Sequence, residues 1–220
     1  LRAASLGELE AKVKTHKIWI LASLLGICLL STGSVAADDS NGAEQRIAEL
    51  NQVITPEYDE MEDITWYRHK DEDRINGFGF YIAEKDGQDL LRFYAGTRGG
   101  DWVQFDRIII LGTFNDEAKE PVRLEVGIDP TERVDLVTET ATTAFRWGGD
   151  IVCNERVDFP VVGRIDLESF RNLATADNVR VRYAGAVTYR EYEVKARLVR
   201  AITDVLDYWD LVIACKQSTN

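Results

Sequence analysis

Turn-forming pairs recur at close intervals through the middle of this chain, and they leave room only for short strands between them. Asn76-Gly77 and Asp86-Gly87 are two-residue hairpin signals, since both central positions of a type I′ turn need positive φ. They separate ITWYRHK (64–70), FGFYIAE (78–84) and DLLRFYAG (89–96). Gly99-Gly100 marks a further turn before WVQFDRIIILGTF (102–114), whose run Ile108-Ile109-Ile110-Leu111 predicts a strand buried on both faces. VRLEVGI (122–128), RVDLVTE (133–139) and TTAFRW (142–147) follow, punctuated by Asp129-Pro130 and Gly148-Gly149. Short strands joined by tight turns describe an antiparallel meander, folded as a sandwich or curled sheet.

The flanks read differently. Ile47, Leu50 and Ile54 stand at helical spacing, predicting a short helix over 43–54 that Pro56 ends. Asp166 is placed to cap a helix carrying Leu167, Phe170 and Leu173, and VRVRYAG (179–185) alternates as a strand. From Glu193 to Lys216, Val194, Leu198, Ile202, Val205, Trp209 and Val212 recur at three and four residues, so a long amphipathic helix is expected to lie across a sheet face. The fold class is therefore α+β: about seven to eight antiparallel strands with a C-terminal helix packed on them. The expected divisions are an export signal over 1–37, a linker and short helix over 38–56, and one β-rich domain over 57–220.

Between Lys17 and Asp38 runs IWILASLLGICLLSTGSVAA, without a charge. Lys12, Lys14 and Lys17 precede it, and Ser34-Val35-Ala36-Ala37 crowd its end with small residues. Positive start, apolar middle and small-residue exit form a secretory signal, with cleavage expected after Ala36 or Ala37. The alternative is an uncleaved membrane anchor over 18–37, since its 20 residues could just span a hydrocarbon core of about 30 Å. Cys28 follows Ile27 rather than Gly, Ala or Ser, which argues against lipid attachment there. Either way the remainder is expected outside the cytoplasm, periplasmic or secreted.

That remainder carries 22 Lys+Arg against 36 Asp+Glu, a net charge of −14. An acidic surface repels phosphate backbones and anionic headgroups, so neither nucleic acid nor an electrostatically bound membrane is an expected partner. Cys153 and Cys215 remain after export, and in an oxidising compartment such a pair predicts a disulfide.

Known chemical motifs are missing. His69 is the single histidine beyond the signal, read as a surface residue between Arg68 and Lys70, so two-imidazole sites and histidine-rich zinc patterns are excluded. No G-x-S-x-G elbow, phosphate-binding loop or dinucleotide fingerprint occurs. Asp71, Asp73, Asn76 and Gly77 approximate a calcium loop, but Ile75 and Ile82 occupy ligand positions and the pattern fails. No metal and no cofactor is expected. Paired carboxylates could serve a glycan hydrolase, with Asp63, Asp101 and Asp150 beside tryptophans as the acids to consider.

Two clusters combine Arg, Trp and glycine: Arg98-Gly99-Gly100-Asp101-Trp102 and Arg146-Trp147-Gly148-Gly149-Asp150. Turn positions on a rigid scaffold often carry binding residues, and Arg with Trp on a concave face can hold a sugar, an anion or a peptide strand. Trp66, Arg98, Asp101, Trp102, Arg146 and Trp147 are thus the candidate ligand-binding set. The competing account makes Trp66, Trp102 and Trp147 core plugs and the glycine pairs simple turns.

ITWYRHK (64–70), LRFYAGTRGGDW (91–102), FRW (145–147) and VRVRYAG (179–185) fall in an order that resembles a group of uncharacterised bacterial exported proteins and lipoproteins. Their blocks read T-W-Y, then R-F-x-x-G with D-W, then R-Y-x-G, before a terminal helix. The resemblance covers roughly 60–215 and implies a small β-rich envelope domain without known catalysis; it supplies no ligand. The chain departs from lipoprotein members in lacking a usable lipid-attachment cysteine. The expected function is a non-catalytic envelope or periplasmic binding domain whose partner is an envelope protein, peptide or glycan. A carboxylate-based glycan hydrolase and a structural subunit of an envelope assembly are the alternatives.

Overall fold

The structure, a computed structural model, describes residues 37–139, 151–213 and 216. The described residues fall into two compact units, 37–49 with 210–213 and 216 in one, and 50–139 with 151–209 in the other. In the first, helix α1 (Ala37–Leu50) carries an Arg46–Glu49 ion pair at 3.7 Å. The predicted signal over 1–36 lies outside the described residues. Among the described residues no helix is long and apolar enough to cross a membrane.

The second unit holds ten strands in two antiparallel sheets, with two helices, so the class is α+β as the sequence predicts. The strands are β1 (Ile54–Asp59), β2 (Ile64–His69), β3 (Phe78–Lys85), β4 (Gln88–Gly99), β5 (Arg107–Thr113), β6 (Val122–Gly127), β7 (Val134–Glu139), β8 (Ile151–Pro160), β9 (Asn178–Ala184) and β10 (Tyr189–Val194). Six form one sheet in the order β1-β2-β3-β4-β8-β7, and four form the other as β10-β9-β5-β6. Helix α2 (Leu167–Leu173) links β8 to β9, and α3 (Ala196–Tyr208) follows β10 and packs on β3 and β2.

The local reasons are readable strand by strand. Asp86 and Gly87 take φ of 53° and 74°, and Lys85 pairs directly with Gln88, which is the two-residue turn the sequence predicts. Asn76-Gly77 behaves otherwise. Neither residue has positive φ, and the β2–β3 ladder ends at Tyr67↔Ile82, far short of them. The Asp73 carboxylate instead accepts from the Ile75 and Asn76 amides, and the Asn76 side-chain oxygen accepts from the Arg98 amide at 2.9 Å. The result is a long loop folded back over the sheet.

Three other expectations change. Residues 54–59 pair with β2 as an edge strand rather than continuing a helix, and an edge strand tolerates Pro56. Of the run 108–111 in β5 only Ile108 and Ile110 are buried, while Ile109 and Leu111 face outward between arginine stems from β6 and β9. The last helix starts at Ala196 because Glu193 and Val194 pair with Arg180 and Val179 in the β9–β10 ladder, and its end passes into a π turn over Trp209–Ile213.

The core lies on the inner face of the six-stranded sheet. Phe78, Phe80, Phe93 and Phe159 line it, and Phe170 from α2 meets Phe80 at 5.0 Å and Phe93 at 5.9 Å between ring centroids. Asp166 caps α2 as expected, accepting from the Glu168 and Ser169 amides. One stripe of α3, including Leu198, Ile202, Val205 and Leu206, is buried.

The predicted Cys153–Cys215 disulfide is corrected: Cys153 is a free, buried thiol, with its Sγ 3.8 Å from the Gly100 carbonyl. It sits on the inner face of β8 between Gly99 of β4 and Val137 of β7, and Cys215 lies outside the described residues. An even cysteine count conveys nothing about approach in space. His69 also departs from expectation. It is only 4% exposed, its Nδ1 accepting from the Asp71 amide and its Nε2 facing Asp204 at 3.1 Å.

Candidate functional site

The candidate residues are not gathered in one place. Trp66 lies half-buried on the outer face of the six-stranded sheet, against Ile64, Tyr81, Ala83 and Tyr94, with Arg68 5.2 Å above its ring. It stands opposite Ala83, which stands opposite Leu90. Arg98 lies eight residues further along β4, roughly 27 Å away at about 3.4 Å per residue. Trp66 therefore serves as partial cover for an outer-face cluster. Arg146, Trp147 and Asp150 fall outside the described residues. Asp63 accepts a hydrogen bond from the Tyr58 hydroxyl at the exposed β1–β2 turn.

Arg98 ends β4 on the outer face, and the chain then leaves the sheet through exposed Asp101 and half-buried Trp102. Two side-chain anchors, one fully buried and one half-buried, hold this segment. The Glu155 carboxylate, fully buried on β8, accepts from the Val103 and Phe105 amides. Arg190 of β10 donates to the Asp101 carbonyl at 2.7 Å and to Thr97 Oγ1 at 3.1 Å. Gln104, between the two anchored amides, takes φ of 51°, so both N–H groups converge on one carboxylate.

The outer face itself follows from register. Tyr94 stands opposite Asp158, Gly96 opposite Arg156 and Arg98 opposite Asn154. On β7, Val134 faces Arg156 and Leu136 faces Asn154. Rows of Gly96-Arg156-Val134 and Arg98-Asn154-Leu136 thus lie side by side. The folded-back loop crosses here: a Cβ on Gly96 would collide with the Arg74 carbonyl oxygen, so glycine is what lets the loop approach.

Beside these rows is a depression of about 310 Å³, lined by Arg74, Tyr94, Glu132, Val134, Arg156 and Asp158. Asp158 receives Tyr81 Oη at 2.7 Å, Arg92 Nε at 2.8 Å and Arg74 Nη2 at 3.1 Å. Arg74 also stacks 4.9 Å from the Tyr81 ring and 5.3 Å from Tyr94. Burial pushes both phenols well above the usual tyrosine range, so both stay neutral, and Tyr81 donates to Asp158. Glu132 pairs with Arg164 at 2.7 Å. Both carboxylates of the depression are engaged by arginine, which leaves the hydrolase reading without a free acid there.

Arg156 is different. Among the described residues, the guanidinium groups of Arg98, Arg156 and Arg200 make no hydrogen bond and no ion pair, and the first two are diagonal neighbours on this one face. Among the described residues no group of three or more His, Cys, Asp or Glu could hold a metal ion. Of the sequence candidates, Arg98 is thus joined to a residue that no motif marks. Arg156 sits in an alternating strand, and only its register against β4 reveals it.

No family model, no curated protein and no solved structure matches this chain.

Proposed function

We propose that the chain is a non-catalytic binding domain of the cell envelope, with the outer face of its six-stranded sheet around Arg98 and Arg156 as the ligand surface. One observation carries this reading: among the described residues Arg98 and Arg156, whose guanidiniums make no hydrogen bond or ion pair, stand diagonal to each other on a face where Arg74 and Arg92 are matched, in a chain of net charge −12. Like charges placed together cost free energy, and an incoming anionic group would remove that cost. Exposed Val134 and Leu136 alongside add apolar contact, as at other binding surfaces. The envelope location rests on the uncharged segment 18–37 and on the resemblance to exported bacterial proteins.

The full chain probed against peptide and glycan arrays tests the reading. Binding that disappears in the Arg98→Ala/Arg156→Ala double variant is the expected result. Uniform silence, or binding that the double variant retains, would sink it.

A further inference from the structure

We propose that the Arg98–Arg156 pair takes an extended acidic segment of a partner protein, through two carboxylates spaced two residues apart. This rests on the binding reading above and names its ligand. Diagonal neighbours across an antiparallel pair stand about 7–8 Å apart. Side chains at i and i+2 of an extended chain point the same way and lie about 6.8 Å apart. A segment with acidic residues at alternate positions therefore presents carboxylates at about the spacing of the two arginine positions on the sheet. Adjacent acidic residues would point to opposite faces and engage only one.

The surroundings favour a polypeptide over other anions. Each guanidinium is a planar fork suited to a carboxylate held by two hydrogen bonds. Val134 and Leu136, 52% and 42% exposed, flank the pair on β7, and Ile75 of the folded-back loop is 50% exposed. Aliphatic side chains of a peptide can cover such residues and dry the ion pairs, whereas a sugar ring would seek a flat exposed aromatic. Tyr94, the aromatic of the depression, is only 5% exposed. A nucleic-acid backbone, with a charge on every nucleotide, is repelled by the net charge of −12 far more strongly than a segment that brings two carboxylates. Gly96 contributes as well. It has no side chain, so both the Arg156 stem and the loop carbonyls of Arg74 and Ile75 lie against it, and the loop borders the pair.

The test is a calorimetric and amide-shift titration of the full chain with three capped peptides and one ion. The peptides contain Glu-Val-Glu, its isomer Glu-Glu-Val and its neutral counterpart Gln-Val-Gln; the ion is inorganic phosphate. The expected result is salt-sensitive binding of Glu-Val-Glu, with shifts confined to β4, β8 and β7. The isomer should bind several-fold more weakly, and Gln-Val-Gln not at all. Arg98→Ala or Arg156→Ala should each weaken binding about tenfold, with Arg→Lys recovering part of the loss. Equal binding of the isomer or of phosphate would overturn the spacing and leave a general anion site. Peptides that fail while array ligands still depend on both arginines would sink this inference alone; silence everywhere would sink the binding reading too.

Discussion

Tyr192 and Arg98 are joined across the two sheets: the Tyr192 hydroxyl on β10 donates to the Arg98 carbonyl at 2.9 Å and lies 3.0 Å from Thr97 Oγ1. The backbone of the candidate arginine is thus held from the opposite sheet, while among the described residues its guanidinium has no hydrogen-bond or ion-pair partner. Tyr192→Phe removes these contacts without opening a large void. Stability should fall by about 1 kcal/mol in urea unfolding. Binding at the Arg98 face should weaken although no ligand contact is removed; unchanged affinity would show that the tether does not position Arg98.

Glycines near this tether should tolerate a methyl group very unequally. A Cβ on Gly185 would meet the Val103 carbonyl, which is backbone and cannot yield. A Cβ on Gly99 would meet the Arg190 guanidinium, the far end of a flexible side chain. Gly100 has nothing near it. Gly185→Ala should cost about 3 kcal/mol or more, Gly99→Ala about 1 kcal/mol, and Gly100→Ala within about 0.5 kcal/mol. Chemical denaturation of the three variants checks the order.

Glu155 is a fully buried carboxylate whose hydrogen-bond partners are the Val103 and Phe105 amides. Glu155→Gln turns an NH₂ group towards one of those N–H donors, and Glu155→Ala leaves both unsatisfied. Either change should destabilise by about 2–4 kcal/mol. Amide exchange at Val103 and Phe105 should rise more than in the Phe170 cluster. Uniform exchange across both regions would mean that Glu155 stabilises the unit as a whole rather than this loop.

Alkaline pH should unfold the protein cooperatively. Burial raises the phenols of Tyr67, Tyr81, Tyr94, Tyr183 and Tyr208, the last to about 12. Each folded value lies above the unfolded value near 10, so the neutral form is favoured in the fold. Their contribution is whole below pH 10 and is lost as pH rises from there towards the folded values. Each group subtracts about 1.4 kcal/mol per pH unit in that window. Tyrosinate absorbance of these five should appear together with loss of near-ultraviolet dichroism. Gradual ionisation before unfolding would contradict their burial.

Cys153 should resist thiol reagents until the protein unfolds, because its thiol is free but buried against the Gly100 carbonyl. Thermal midpoints with and without reductant should agree. Labelling of the native protein at Cys153 would refute its placement.

Much of the fold was legible wherever a few neighbouring residues decide the outcome. Asp86-Gly87 makes its turn because two adjacent residues supply both positive φ values. Asp166 caps α2 through amides two and three residues on, and the apolar stripe of α3 follows helical spacing. Asn76-Gly77 carried an equally strong local signal and lost, because Asp73 and the end of β4 compete for the same groups. In the site, Arg98 was marked by its place at a turn. Trp66 was not separable from it by sequence, since distance along β4 enters only once the ladders are known.

By itself, the sequence determined the class of the domain, the alternation of its strands, the cap of α2 and the amphipathic character of α3. These depend on contacts a few residues apart, which any compact form of the chain would share. Only the tertiary structure decided that β8 enters between β4 and β7, that Cys153 stays a thiol, that His69 is buried against Asp204, and that Arg156 stands diagonal to Arg98. Apart from the β7–β8 pairing, those facts join residues 54 to 135 positions apart. Pairing of that kind is chosen by which buried faces and hydrogen-bond ladders close together, a property of the whole unit rather than of any segment.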